Sequence, residues 1–277
     1  MRKIAFILIL AFALTSCEEV IDWGYNENPP LVLVVDGRIT DQQMAHEIRL
    51  TKPVSELNHI PEPVSGAEVS ILFKQGNDTV SAQLTESVDK PGSYYTDNGF
   101  QGISFKYYAL EIKYEGYEFL AIDRMRESTP FEPNNIYQQA DNGLYKVDFN
   151  FGGFANSDAA IWYYNLDWSH LPDSVFAPNG TKKARLAFYS LPSIDVNGLF
   201  LSGYETVYFP AGTQIVLEKY SISEQYAEFL RTMLAETDWR GGVFDTYRAN
   251  TYTNLSEGAT GFFGACGYLS DTVVVQP

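Results

Sequence analysis

The sequence predicts a mainly β fold, in which an N-terminal immunoglobulin-like or transthyretin-like β-sandwich is followed by a second β-rich domain with one amphipathic helix. The 277-residue chain contains 19 Tyr and 18 Phe, and aromatic residues are enriched in strands. Short runs of alternating apolar and polar residues, separated by turn residues, recur at the spacing of a sandwich. Only one segment after the N-terminal signal has clear helical periodicity.

The chain begins with a segment that predicts export and lipid attachment. Met1-Arg2-Lys3 is positively charged, and residues 4–14 form an apolar run that is too short to span a bilayer comfortably. Leu14-Thr15-Ser16-Cys17 then resembles the lipobox of bacterial lipoproteins, in which the cysteine becomes the first mature residue and carries lipid. We therefore expect residues 1–16 to be a signal peptide and Cys17 to be the lipid attachment site. An ordinary secretory signal with a coincidental cysteine is the alternative.

Residues 17–30 are predicted to be an acidic tether. Glu18, Glu19 and Asp22 follow the cysteine closely, and the polar stretch ends at Pro29-Pro30 without any period. Acidic residues at this place resemble the signal that sends lipoproteins of the Bacteroidota to the outer face of the outer membrane. The expected location is thus the outer membrane, with a surface-exposed body, or with a periplasm-facing body if these residues are only a solvated spacer.

Seven short strands are predicted in the sandwich domain, residues 31–127. The runs stop at turn residues such as Asp36-Gly37, Gly76-Asn77-Asp78 and Glu115-Gly116. The predicted strands are residues 31–35, 46–51, 67–73, 79–85, 93–95, 108–114 and 117–122.

The second domain is predicted to cover residues 136–277, after a stretch at 128–135 that contains two prolines and two asparagines. Its predicted strands are residues 145–151, 161–168, 185–189, 205–209, 214–220 and 272–275. Apolar residues three and four apart predict a helix near residues 223–237, capped by Ser221 or Ser223. We expect its apolar stripe to pack on the second sheet.

Charge and cysteine content narrow the classes of partner. The formal net charge is −16, and an acidic surface of this size argues against nucleic acid as a partner. Cys17 and Cys266 are the two cysteines. A lipid on Cys17 would leave Cys266 without a disulfide partner. We interpret Cys266 as a small buried residue, with a reactive thiol as the alternative.

No motif in the sequence predicts a metal, a cofactor or an enzyme. The three histidines, His46, His59 and His170, have no second ligand at metal-binding spacing and are interpreted as surface residues. Nucleophile motifs of the hydrolase type are missing. A pair of acidic residues suited to glycoside hydrolysis stays open, because 35 Asp and Glu residues give many combinations.

One strand is unusually aromatic and offers a possible ligand platform. On a strand, Trp162, Tyr164 and Trp168 share one face. If that face is exposed, the rings make a flat surface for sugar rings or for the edge of a partner. The alternative is that they are core residues covered by the predicted helix.

Several short segments together resemble a known family. They are the signal with its lipobox, Val34-Val35-Asp36-Gly37-Arg38-Ile39-Thr40, Val64-Ser65-Gly66-Ala67-Glu68-Val69, Gly92-Ser93-Tyr94, and Tyr252-Thr253-Asn254 with Gly258-Ala259-Thr260-Gly261-Phe262-Phe263-Gly264-Ala265. This set resembles the Bacteroidota lipoprotein family called domain of unknown function 4249. The closing Gly-x-x-Gly-Phe-Phe-Gly-Ala is its most specific part.

The resemblance implies a surface or periplasm-facing lipoprotein, often encoded beside a TonB-dependent outer-membrane transporter. No catalytic residues are established for that family, so none carry over. The expected function is a non-enzymatic accessory binding component in nutrient capture. A surface hydrolase acting on glycan or peptide and a purely structural cell-surface module are the alternatives.

Overall fold

The computed structural model of the chain describes residues 33–54, 56, 59–128, 130, 136–148, 159–172, 180–191, 206–236 and 251–277. The signal peptide, Cys17 and the acidic tether lie outside the described residues. The described part is mainly β, as predicted from the sequence. None of its helices is both long and apolar enough to cross a membrane.

The described residues form fifteen strands and one α-helix. The strands are β1 (Leu33–Thr40), β2 (Glu47–Thr51), β3 (Glu68–Gln75), β4 (Asp78–Gln83), β5 (Thr85–Glu86), β6 (Ser93–Tyr95), β7 (Tyr107–Tyr114), β8 (Tyr117–Arg124), β9 (Tyr137–Gln139), β10 (Tyr145–Val147), β11 (Ala160–Asp167), β12 (Lys183–Ser190), β13 (Tyr208–Phe209), β14 (Gln214–Ser221) and β15 (Ala259–Val274). The helix α1 spans Glu224–Glu236.

These strands make three sheets. The largest has eight strands in the order β12-β11-β14-β15-β1-β2-β6-β5, and two smaller sheets have the orders β4-β3-β7-β8 and β13-β10-β9. β1 and β15 pair in parallel over Leu33 to Thr40. β15 pairs with β14 over its second half, in the antiparallel direction. The last strand of the chain therefore joins the two halves of the large sheet.

One face of the large sheet carries two apolar cores. Val35, Ile39 and Phe263 point towards the four-stranded sheet and form the sandwich core with its side chains. Further along the same face, Tyr164 and Leu217 belong to a second core, which also includes residues of the three-stranded sheet. Because side chains alternate along a strand, the residues in between lie on the opposite face.

The opposite face is partly covered by α1. Ile161, Phe262 and Cys266 pack there against the buried side of the helix, which includes Tyr226 and Leu230. The helix therefore packs on the large sheet, and the single-helix prediction is confirmed for the described residues. Its N-terminus is capped by Ser223, whose Oγ accepts a hydrogen bond of 3.1 Å from the Tyr226 N–H.

The two predicted domains share this large sheet. The stretch 128–135 is largely outside the described residues, but β15 crosses back to pair with β1. Phe263 and Ala265 of β15 are 0 % exposed within the sandwich core. Leu31–Pro277 forms one compact unit. The sandwich predicted for residues 31–127 is thus completed by residues near the end of the chain.

Two local predictions differ from the structure because of glycines. Asp36-Gly37, predicted as a turn, lies inside β1, where a Cβ on Gly37 would be 2.6 Å from Cδ1 of Ile48. The absence of a side chain lets Ile48 pack directly on β1. The glycine-rich end of the chain, predicted as a strand only over residues 272–275, is a strand of 16 residues. The glycines led to the second half of β1 and most of β15 being missed, since glycine disfavours strands on average.

Candidate functional site: a tyrosine-lined cavity with a half-buried arginine

A cavity of about 560 Å³ opens on the same face of the large sheet as α1. Its walls come from strands β1, β2, β6, β11, β14 and β15, from α1, and from the connections around residues 42–46 and 90. Cavities of about 300–1,000 Å³ are typical of small-molecule sites. The position and size of this cavity make it the candidate site.

The alternation of β1 supplies the polar floor of the cavity. Val35 and Ile39 are buried in the sandwich core, so Asp36, Arg38 and Thr40 lie on the cavity side. This strand therefore has one apolar face and one polar face, although both faces of its sheet are at least partly covered.

Arg38 is half-buried and rests on tyrosine rings. Its Cζ lies 3.8 Å from the ring centroid of Tyr220 and 5.9 Å from that of Tyr163. These distances are within the range of cation–π contacts. Burial opposes the charge, but the ionisable groups around it, Tyr226 and Cys266 first, raise the pKa of Arg38 overall. The guanidinium is therefore charged at neutral pH.

Arg38 has no counter-ion among the described residues. No described carboxylate forms an ion pair with it, and no described acceptor takes a hydrogen bond from its guanidinium. A charge withdrawn from water is normally paired, because desolvation without a partner costs free energy. The ring contacts offset part of that cost and leave the N–H groups of the guanidinium unused.

The tyrosines form a connected aromatic wall. The ring centroids of Tyr220 and Tyr268 are 4.9 Å apart, and those of Tyr163 and Tyr220 are 5.8 Å apart. Tyr226 of α1 stacks on Phe262 with a centroid distance of 4.5 Å. Burial raises the pKa of Tyr220 to about 12. The Tyr220 hydroxyl is consequently neutral at physiological pH.

The glycines of the closing motif shape this wall. A Cβ on Gly264 would lie 2.4 Å from Cε1 of Tyr226, so a side chain there would push the ring away from β15. Gly261 has φ +94°, and a Cβ there would be 2.0 Å from the carbonyl oxygen of Val35. Gly261 thus permits the close parallel pairing of β15 with β1, and Gly264 leaves space for a ring of the cavity.

The acidic residues of the cavity either form hydrogen bonds and ion pairs with neighbouring side chains or are exposed to solvent. Glu47 forms an ion pair of 2.5 Å with Lys90 and accepts a hydrogen bond of 2.7 Å from Ser93. Burial works against ionisation of Glu47, but its hydrogen bonds from Lys90 and Ser93 keep the pKa below its usual value. Glu218 accepts hydrogen bonds from the Tyr268 hydroxyl at 2.9 Å and from Nδ2 of Asn165 at 2.8 Å.

The lining as a whole is balanced in charge, although the chain has a net charge of −16. Three basic and three acidic side chains contribute, namely Arg38, Arg49, Lys90, Asp36, Glu47 and Glu218. Asp36 and Arg49 are exposed and lie opposite each other on β1 and β2. The cavity is therefore less acidic than the rest of the protein.

The aromatic strand singled out in the sequence does not form an exposed platform. Trp162, Tyr164 and Trp168 are 6 %, 0 % and 1 % exposed, and they belong to the core below the three-stranded sheet. They are core residues, but α1 does not cover them, because it packs on the other face with Ile161. The neighbour on that other face, Tyr163, is the residue of this strand that reaches the cavity.

The histidine and cysteine interpretations have different outcomes. His46, predicted at the surface, is 3 % exposed; its Nε2 lies 3.2 Å from the Gln42 carbonyl, and burial lowers its pKa. The short β1–β2 connection buries it against Phe100. Cys266 is a free, buried thiol whose pKa is raised by burial, as expected of a small core residue. In the described part of the chain, no three His, Cys, Asp or Glu side chains are grouped as metal ligands would be.

The sequence alone did not identify Arg38 and the tyrosines around it as a binding site. Charged residues at alternate positions 36 and 38 of an otherwise apolar strand are a usable signal, because they mark a polar face. The partners could not be identified in this way, since Tyr163, Tyr220 and Tyr268 come from three other strands, distant in sequence.

The fold and site define a β-rich protein with a ligand-sized cavity on its central sheet. The chain belongs to the family described as domain of unknown function (DUF4249), whose model matches residues 18–272. The match confirms the resemblance to this domain of unknown function, and it includes both the cavity residues and the glycines of β15. A search of curated proteins gave no match.

Proposed function

We propose that this protein is a non-enzymatic binding component of the outer membrane, anchored by lipid on Cys17. It holds a small ligand in the tyrosine-lined cavity and works beside a TonB-dependent transporter in nutrient capture. The observation that carries the proposal is the cavity itself: about 560 Å³, walled by tyrosines, with one charged guanidinium that lacks a counter-ion among the described residues.

The contacts of the acidic residues favour binding over hydrolysis. A hydrolytic acid must hold a proton near neutral pH, whereas Glu47 is kept ionised by Lys90 and Ser93. Both carboxylate oxygens of Glu218 already accept hydrogen bonds, one from the Tyr268 hydroxyl and one from Nδ2 of Asn165. A purely structural module has no need of a cavity with a half-buried guanidinium that is unpaired among the described residues, so that alternative has less support.

The binding role is tested by filling the cavity. Ala45 lines it and is half-buried, so Ala45→Trp is expected to occupy part of the volume and abolish ligand retention. Ser81→Trp, at an exposed position of β4, is the matched control. Native mass spectrometry of protein isolated gently from its own membranes measures the retained ligand. Equal retention by both variants, with unchanged melting temperatures, would exclude the cavity as the binding site.

The anchor and the partner are tested in the same cells. Cys17→Ser is expected to move the protein from the membrane fraction to the soluble fraction, because the acyl chains supply the attachment. The unaltered protein, solubilised with detergent, is expected to co-purify with a TonB-dependent transporter. Recovery of the chain alone would remove the transporter from the proposal and leave the binding role intact.

A further inference from the structure

We propose that the cavity binds a small organic monocarboxylate. Its carboxylate pairs with the Arg38 guanidinium, and the rest of the ligand, a ring, packs against the tyrosines. This inference rests on the proposed binding function and adds the chemical class of the ligand. It follows from three features of the described residues: the unused donors of Arg38, the charge balance of the lining, and the aromatic wall.

The donors of Arg38 remain available because of the way the side chain is held. Cζ of Arg38 lies 3.8 Å from the Tyr220 ring centroid, and no described acceptor takes a hydrogen bond from the guanidinium. Its N–H groups lie in the guanidinium plane and present a fork that matches two carboxylate oxygens. A side chain fixed by a ring loses less conformational freedom when it binds, so the contact also prepares Arg38 for a ligand.

The charge balance favours a ligand with a single negative charge. Lys90 neutralises Glu47 in an ion pair, and the exposed pair Asp36 and Arg49 face each other across β1 and β2. Arg38 and Glu218 are left on the cavity floor, and Glu218 is satisfied by Tyr268 and Asn165. One added carboxylate pairs with Arg38, whereas the second negative charge of a dianion such as phosphate would be repelled by Glu218 without a further pairing to Arg38.

The body of the ligand is defined by the aromatic wall. Tyr220 and Tyr268 are in contact with each other, and Tyr226 stacks on Phe262 beside them. Aromatic faces bind rings and aliphatic surface, and their hydroxyl groups hydrogen-bond to polar substituents. A carboxylate attached to an aromatic ring, a saturated ring or a sugar ring therefore matches both parts of the site.

The test uses pairs of compounds that differ in charge. Isothermal titration calorimetry is performed with phenylacetate and phenylacetamide, cyclohexanecarboxylate and cyclohexanecarboxamide, and glucuronate and glucose, with inorganic phosphate as the dianion. The proteins are the full mature chain, Arg38→Gln, Arg38→Lys and Arg124→Gln. Arg124 is the matched control, because its guanidinium also lies over rings, those of Phe105 and Tyr107, but on the four-stranded sheet.

The expected result is a preference of about tenfold or more for at least one carboxylate over its neutral partner, the factor typical of a charge-assisted hydrogen-bonded pair. Arg38→Gln should remove this preference, Arg38→Lys should restore part of it, and Arg124→Gln should keep it. Unchanged melting temperatures and circular dichroism spectra show that the variants are folded.

Failures of the two proposals are distinguishable. Binding of neutral compounds with equal or higher affinity, unchanged in Arg38→Gln, would overturn the monocarboxylate inference and leave the binding function standing. Tighter binding of phosphate than of every carboxylate would also overturn it. If neither the carboxylates nor their neutral partners bind, the result would count against both the monocarboxylate inference and the proposed binding function.

Discussion

Asp123 is the most deeply buried acid among the described residues, at 2 % exposure. Its carboxylate accepts a hydrogen bond from the main chain of β15. β14 ends at Ser221, opposite Gly267, so no described strand pairs with the earlier part of β15 on that side. Oδ2 of Asp123 accepts a hydrogen bond of 2.8 Å from the Ala265 N–H. Oδ1 accepts another from the Arg124 N–H at 2.8 Å.

Stability is expected to depend on pH through this side chain. Burial raises the pKa of Asp123 to about 6 from its ordinary value of 3.8, although the Ala265 N–H, Ser223 and Arg126 work in the other direction. Asp123 therefore stays protonated up to a higher pH in the folded state than in the unfolded state. The stabilisation from this group is fully present below about pH 4 and is lost as the pH rises through 6, by at most about 3 kcal/mol.

The measurement is urea unfolding of the natural protein and of Asp123→Asn between pH 4 and 7. The asparagine can still accept the Ala265 N–H but does not titrate, so the free energy of unfolding of the natural protein should fall relative to the variant as the pH rises. Other shifted carboxyl groups, such as Glu47 and Glu86, titrate in both proteins and cancel in the difference. A constant difference across this range would refute the raised pKa.

The alternation that predicts a strand over residues 117–122 continues to Asp123 in the structure, but it does not explain why an acid is there. Phe119, Ala121 and Asp123 alternate along β8 and face the core, as the period of two requires. The group that explains the acid, the Ala265 N–H, comes 142 residues later. The tyrosines that contact Arg38 are likewise distant from it in sequence. The direction of an individual side chain can therefore be predicted here, but the site that several side chains form together cannot.

At the scale of the elements, two serines near the start of α1 are both plausible caps in the sequence, and the structure distinguishes them. Ser223 Oγ accepts the Tyr226 N–H at 3.1 Å and is also hydrogen-bonded to Asp123. Ser221 lies in β14, and its buried Oγ has no hydrogen-bond partner among the described residues. The capping role therefore belongs to Ser223.

Ser223→Ala is expected to destabilise the protein by about 1–2 kcal/mol, the usual cost of losing an N-cap. Ser221→Ala is the matched control, two residues away and equally buried, and should be neutral or slightly stabilising because it removes an unsatisfied hydroxyl. The midpoints of urea unfolding of the two variants provide the comparison. Equal destabilisation by both, or a larger loss in Ser221→Ala, would contradict the capping assignment.

Elements with strong local patterns were the predictable ones. β2 and β7 alternate cleanly, and the turn at Glu115-Gly116 has the positive φ angles, 49° and 83°, that its sequence suggests. β15 was not predictable over its full length. Its glycines are required by neighbours, the Val35 carbonyl and the Tyr226 ring, and these contacts become visible only in the folded chain.

At the scale of the whole molecule, β15 makes the N-terminal sandwich dependent on the end of the chain. It covers one side of β1 over Leu33 to Thr40 and contributes Phe263 and Ala265 to the core. Without it, β1 becomes an exposed edge strand beside an open core. Exposed edges and apolar cavities both favour partly folded and aggregating states.

A fragment of residues 31–127 is therefore expected to lack a cooperative thermal transition and a native near-UV circular dichroism spectrum. Joining residues 251–266 to its C-terminus, through a flexible Gly/Ser linker of about 15 residues, should restore both, because the added segment contains the part of β15 that pairs with β1. The same fusion carrying Phe263→Asp is the control and should fail, since Phe263 is 0 % exposed and an unpaired charge is costly in a core. Cooperative unfolding of the fragment alone would instead establish residues 31–127 as an independent domain, in which the contacts with β15 are additional to a core that is already stable.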